Sequence, residues 1–140
     1  TFMDEEERFA TVDLFILDEE RGELEFVKIG AAPSLLISEG KIEVLESSSQ
    51  PMGILEEITP ETKTLTLKPG ALLIMVSDGV WQGPKNGKRE GWLPEFLAGV
   101  WHLEPKRLAD YILDHACILH GGKAEDDLTV LVVKIEGNYT

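Results

Sequence analysis

Two acidic motifs carry the chemistry open to this chain. Ser77-Asp78-Gly79 follows the apolar run Leu72-Leu73-Ile74-Met75-Val76. Glu125-Asp126-Asp127-Leu128-Thr129 precedes the run Val130-Leu131-Val132-Val133. An Asp at the end of one buried strand and an Asp at the start of another can converge in space, however far apart they lie in the chain. Carboxylates held together on strands repel unless positive charge sits between them, and a hard divalent cation with oxygen ligands is the usual partner. Magnesium or manganese held this way keeps several waters, one of which can serve as nucleophile, so the pattern points to metal-assisted hydrolysis. Gly79 lets the chain turn sharply and brings backbone close to a ligand. Each motif alone also reads as an ordinary turn or Asx motif; the pair is more specific than either.

Other catalytic patterns are missing from the sequence. There is no Gly-x-Ser-x-Gly elbow and no Gly-x-x-x-x-Gly-Lys phosphate loop. His102, His115 and His120 have no His or Cys partner at metal-ligand spacing, and read as surface or helix residues. The small residues Gly30-Ala31-Ala32-Pro33-Ser34 read as a tight connection, and Ser47-Ser48-Ser49 as a loop.

The elements that must position the two Asp residues emerge from periodicity. Phe9 to Leu17 reads as a strand, Asp18 to Gly22 as a turn, and Glu23 to Ile29 as a half-buried strand with Leu24, Phe26 and Ile29 set against Glu23, Glu25 and Lys28. Leu35 to Ile37 and Ile42 to Leu45 flank Gly40 as a hairpin. Thr62 to Leu67 alternates, Pro69-Gly70 turns the chain, and Ala71 to Val76 has the continuous apolar character of a central strand. Gln82 to Gly91 reads as an exposed loop and a place for substrate discrimination. Trp92 to Trp101 suits a short helix, with Trp81 and Trp92 expected to be buried against the sheet. Pro105 suits the first turn of a longer helix reaching His120, ended by Gly121-Gly122. Asp127 to Ile135 is the last strand. Strands, then helices, then a closing strand give an α+β class: an antiparallel β-sandwich with flanking helices.

The 140 residues make one domain's worth of chain. A net charge of −13 argues against nucleic-acid backbone or anionic-membrane binding. Cys117 is the sole cysteine, which excludes an internal disulfide and favours a reducing, cytoplasmic setting; its neighbours place it in a buried helix position. No apolar stretch is long enough to span a bilayer.

Five blocks of the sequence resemble a known family: Phe9-Ala10-Thr11-Val12-Asp13-Leu14, Lys28 to Ser34, Ser48 to Leu55, Lys68 to Gly79, and Asp126 to Val130. In this order they resemble the phosphatase domain of the stage II sporulation protein E family, within the metal-dependent PPM (protein phosphatase 2C) superfamily. The resemblance implies a central β-sandwich flanked by helices and two manganese or magnesium ions held mainly by Asp. It carries metal-ligand roles onto Asp78 and Asp126, with Gly79 and Asp127 as neighbours shaping the site. It implies attack of a metal-bridging water on a phosphoserine, without a phosphoenzyme, and a small phosphorylated anti-sigma-factor antagonist as substrate. The superfamily's earlier Asp-Gly motif, which bridges both metals, has no counterpart here: Asp4 precedes Glu5, and Asp13 lies inside an apolar strand. The chain therefore reads as residues 1–140 of a single domain, the C-terminal part of a phosphatase domain, with weak metal binding and little activity alone. The alternatives are a non-catalytic phosphatase-like interaction module and, more remotely, a calcium-binding β-protein, which the sequence disfavours because it has no dense ligand loop.

Overall fold

Alternation in the first half and apolar runs in the second build two antiparallel sheets. The computed structural model describes residues 11–46, 62–83, 91–123 and 127–137. In chain order the elements are β1 (Val12–Asp18), β2 (Glu23–Ile29), β3 (Ser34–Ser38), β4 (Lys41–Leu45), β5 (Lys63–Thr66), β6 (Leu72–Val76), α1 (Asp78–Gln82), α2 (Trp92–Val100), α3 (Pro105–Leu119) and β7 (Val130–Lys134). The backbone divides into two units: Thr1–Ala31 with Glu46–Thr66, and Ala32–Leu45 with Leu67–Thr140. Mixed helices and antiparallel strands bear out the α+β class.

The first unit holds the sheet β1-β2-β5. Its β1–β2 turn is fixed by Asp18, whose Oδ1 accepts the backbone N–H groups of Glu20 and Arg21 at 3.1 Å each. Register pairs Phe15 with Phe26 and Asp13 with Lys28. Here the structure corrects the alternation read from the sequence. Lys28 shares the face of Leu24 and Phe26 and is only 4% exposed. Its Nζ donates to Asp13 Oδ1 at 2.6 Å and lies 5.5 Å from the centre of the Phe15 ring. Burial pushes the Lys28 pKa down from 10.5, and the bond to Asp13 partly opposes that shift.

The second unit holds the sheet β4-β3-β6-β7, with β6 in its interior as its apolar run requires. Alternate residues Leu35, Ile37, Leu72, Ile74 and Val76 join Leu93 and Leu97 of α2 and Leu108, Ile112 and Ala116 of α3 in one buried cluster. Each such side chain fully removed from water is worth roughly 1.5–3 kcal/mol. Trp92 belongs to the cluster and Trp81 packs against it, as expected. Cys117 is half-exposed, because it sits one position round the helix from the buried Ala116.

The two ends of α3 obey their sequence signals. Pro105 occupies the first turn, where its missing N–H has no intrahelical partner to lose. At the other end Gly122 N–H donates to the Cys117 carbonyl and Gly121 N–H to the Ile118 carbonyl, both at 2.9 Å. This is a Schellman ending, and it needs Gly121 at φ 72°.

A Cβ added at Gly121 meets nothing within 4 Å, so Gly121→Ala carries the backbone penalty alone. It should lower stability by about 1 kcal/mol, read as a shift in the urea midpoint; an unshifted midpoint would show that the left-handed ending contributes nothing. Asp13→Ala leaves the Lys28 ammonium buried without this carboxylate and should cost about 3 kcal/mol, most of it recovered when Lys28→Met is added. Between its lowered pKa and 10.5, Lys28 binds fewer protons folded than unfolded. Stability should therefore rise with pH across that alkaline window, and lose the rise in Lys28→Met. Parallel stability–pH curves for the two proteins would refute this.

Candidate metal centre

β6 and β7 are neighbours, and the pairing of Val76 with Val130 sets the residues after β6 opposite those before β7. The first acidic motif thus meets the second at one end of this sheet. Ser77 N–H donates to the Thr129 carbonyl at 3.0 Å. Thr129 N–H donates to Ser77 Oγ at 3.0 Å, and Ser77 Oγ donates to the Asp127 carbonyl at 3.1 Å.

Ser77 is also the N-cap residue of α1, a position where a serine hydroxyl normally accepts from the helix's own first N–H groups. It makes no such side-chain bond. Its carbonyl instead receives Val80 N–H at 3.0 Å and Trp81 N–H at 3.2 Å, while the hydroxyl reaches across to the second motif. Asp78 is the first residue of a five-residue helix, where the sequence alone gives a turn. A helix this short, with glycine at its second position, leaves no periodic signature.

Two ring N–H groups hold the carbonyls of this turn. His120 Nε2 lies 2.9 Å from the Gly79 carbonyl oxygen. A carbonyl only accepts, so this nitrogen carries the hydrogen. Trp92 Nε1 donates to the buried Val80 carbonyl at 2.7 Å. Trp92 in turn packs edge-on against Phe96 and at a tilt against His115, at 5.4 and 5.0 Å between ring centres. His120, read from the sequence as a bystander, touches the first motif. Its position just before Gly121-Gly122 and the second acidic motif was the available signal.

Gly79 and Val80 are buried, whereas Asp78 is exposed. Among the described residues no ion pair neutralises the Asp78 carboxylate. Asp127 is also exposed, and its backbone is the part held by Ser77. Asp126 lies outside the described residues, as do residues 48–55 of the third resembling block and residues 84–90 of the expected substrate loop. Among the described residues no group of three or more His, Cys, Asp or Glu is gathered as a metal cage. The carboxylates that are placed offer hard oxygen donors, which suit magnesium or manganese rather than a thiophilic metal. No helix among the described residues is long and apolar enough to cross a membrane.

Comparison with known proteins gives the family and the fold. The family model for stage II sporulation protein E (SpoIIE) matches residues 2–136. Stage II sporulation protein E of Bacillus subtilis (strain 168) is 34% identical over 134 residues, which is 95% of this chain and 16% of that protein. The solved PP2C phosphatase domain of Bacillus subtilis SpoIIE, with a fragment of its regulatory domain, superposes with a TM-score of 0.82 at 34% identity, over 91% of this chain and 39% of that one. The catalytic domain of the serine/threonine phosphatase PstP, solved with two manganese ions, superposes with a TM-score of 0.69 at 15% identity, over 90% of this chain and 58% of that one. That last likeness is one of fold. The present chain therefore spans a minor share of the full-length relative and well under two thirds of these solved chains. Within that share, sequence and fold agree that the chain belongs to the stage II sporulation protein E family, and that its fold is of the PP2C phosphatase type.

Proposed function

We propose that the chain is the C-terminal part of a metal-dependent protein serine/threonine phosphatase domain. Its substrate is phosphoserine on a small regulatory protein of the anti-sigma-factor-antagonist class. The observation that supports this most is how the acidic motifs are tied. Ser77, just before Asp78, is hydrogen-bonded to Asp127, just after Asp126, while Gly79 is hydrogen-bonded to His120, at the end of α3 ahead of the second motif. In this reading Asp78 and Asp126 hold manganese or magnesium, with Gly79 and Asp127 beside them. Bound there, the metal supplies Lewis-acid polarisation of phosphoryl oxygens and a water of lowered pKa.

The chain's own contribution is placement. Buried β6 and the buried Gly79-Val80 segment form a fixed base, and the Asp78 carboxylate is presented to solvent from it. Gly79 adds no side chain beside the carboxylate. The bridging Asp-Gly carboxylate of the superfamily comes, on this proposal, from polypeptide ahead of Thr1.

The test is manganese-dependent phosphate release from a phosphoserine regulatory protein. It compares the 140-residue chain with a longer polypeptide that also carries an upstream Asp-Gly pair. The longer polypeptide should be active and the chain alone nearly inactive. Asp78→Asn in the longer polypeptide should reduce the rate more than about 100-fold, while shifting stability by less than about 0.5 kcal/mol, as expected at an exposed position. A chain that works at full rate alone would remove the need for upstream ligands. Retained activity in Asp78→Asn would remove Asp78 from the metal site. Partner binding with no metal-dependent hydrolysis by either polypeptide would establish the non-catalytic module instead.

A further inference from the structure

The three described helices converge on one point. The carbonyls of Gly79 and Val80 lie in α1, too near its end to be taken up by a continuing helix. Each receives a side-chain N–H from a different helix: Val80 from Trp92 at the start of α2, Gly79 from His120 at the end of α3. The Trp92 bond is buried and belongs to the core. The His120 bond is different in kind. His120 is half-exposed, and it is the residue that closes α3 before the Schellman turn. Its backbone N–H reaches the carbonyls of Ala116, Cys117 and Ile118. The chain then turns back through Gly121 and Gly122 toward the second acidic motif. His120 is thus held on the helix it terminates, with its ring free to reach across.

We propose that His120 is a positioning residue for Asp78: the hydrogen bond from its Nε2–H to the Gly79 carbonyl fixes the turn that aims the Asp78 carboxylate. This rests on the reading of Asp78 as a metal ligand. Ser77 holds the turn from the N-terminal side through Asp127 and Thr129, and His120 holds it one residue past the carboxylate. The Ser77–Asp78 and Gly79–Val80 peptides are then held on either side of the Asp78–Gly79 link, which narrows the directions the carboxylate can take. Losing the His120 bond leaves the Ser77 attachment intact but lets the Gly79–Val80 peptide, then held through its N–H to the Ser77 carbonyl, rotate more freely about Gly79. Glycine resists that rotation less than any other residue. Metal capture is thereby linked to the end of α3.

The experiment uses the 140-residue chain and three variants: His120→Leu, His120→Gln and Asp78→Asn. Long-range proton–nitrogen spectra of the histidine rings should show His120 protonated at Nε2. Amide hydrogen exchange should quicken about fivefold to tenfold at Val80 and Trp81 in His120→Leu, while Leu35 and Ile74 change less than about twofold. Manganese, added alone and monitored by its paramagnetic broadening of nearby amides, should bind about fivefold more weakly in His120→Leu. His120→Gln keeps an N–H donor and should recover most of both effects. Three results overturn the proposal: unchanged exchange at Val80 and Trp81, a uniform rise across all amides, or His120→Gln behaving like His120→Leu. Weaker manganese binding in Asp78→Asn with none in His120→Leu also overturns the positioning role, and leaves the phosphatase reading standing. Unchanged binding in Asp78→Asn removes Asp78 from the metal site, and with it the reading on which the positioning role rests.

Discussion

The hydroxyl of Ser77 is the joint on which the candidate site depends. The β6–β7 ladder brings the motifs to one end of the sheet, but a ladder stops where its strands stop. Ser77 extends it by one more linkage, accepting from Thr129 N–H and donating to the Asp127 carbonyl. Only a group that donates and accepts from one atom can do this, which a hydroxyl does and a carboxylate or ammonium does not. The cost falls on α1, which begins without a side-chain cap, a device worth about 1 kcal/mol elsewhere. Asp78 in the first turn offsets part of that through its favourable charge at a helix start.

The helical layer completes what the sheet begins. Val80 is fully buried between the core contributions of β6 and α2, so its carbonyl cannot turn to water. An unmade hydrogen bond there would carry a desolvation cost of about 1–3 kcal/mol. Trp92 removes that cost by offering a ring N–H from the first turn of α2, and its indole fills core volume at the same time. His115, on α3, stacks at 4.7 Å on Phe96 of α2, so the helices that reach α1 also grip each other. Anything that shifts α2 against α3 acts on the carbonyls of the Asp78 turn.

Much of this was legible in the sequence, and the parts that were not have physical causes. The bounds of β2, the Pro105 start and Gly121-Gly122 end of α3, and the interior place of β6 all stem from strong local signals. Alternation assigns a lysine outward, whereas Lys28 is buried and paired with Asp13 across the strands, which makes a buried ammonium tolerable. The run from Val12 to Leu17 reads as mostly apolar, yet Leu14 and Ile16 are exposed, since a strand at a sheet edge has faces that composition does not distinguish. The contact of His120 was not legible, though its place before Gly121-Gly122 was, because its partner is a backbone oxygen 41 residues away and backbone oxygens have no sequence signature. The juxtaposition of the motifs was inferable from strand character at both ends, whereas the serine linkage that fixes it was not.

An exposed carboxylate on an immobilised base is a poor way to stabilise a fold and a good way to bind a cation. Exposed at the end of β6, Asp78 gives the folded protein no ion pair among the described residues. The arrangement supplies preorganisation instead. Side-chain and loop ordering on binding costs about 0.5–1.5 kcal/mol for each group immobilised, and here the backbone part of that ordering is already met by the folded chain. The cation then needs only the carboxylate torsions to settle. On the proposed reading, cation binding to the folded state alone would add stability by mass action. On that reading the hydrogen bonds around Asp78 hold a charge without an ion pair among the described residues in readiness, while the fold's stability comes from the apolar cluster behind it.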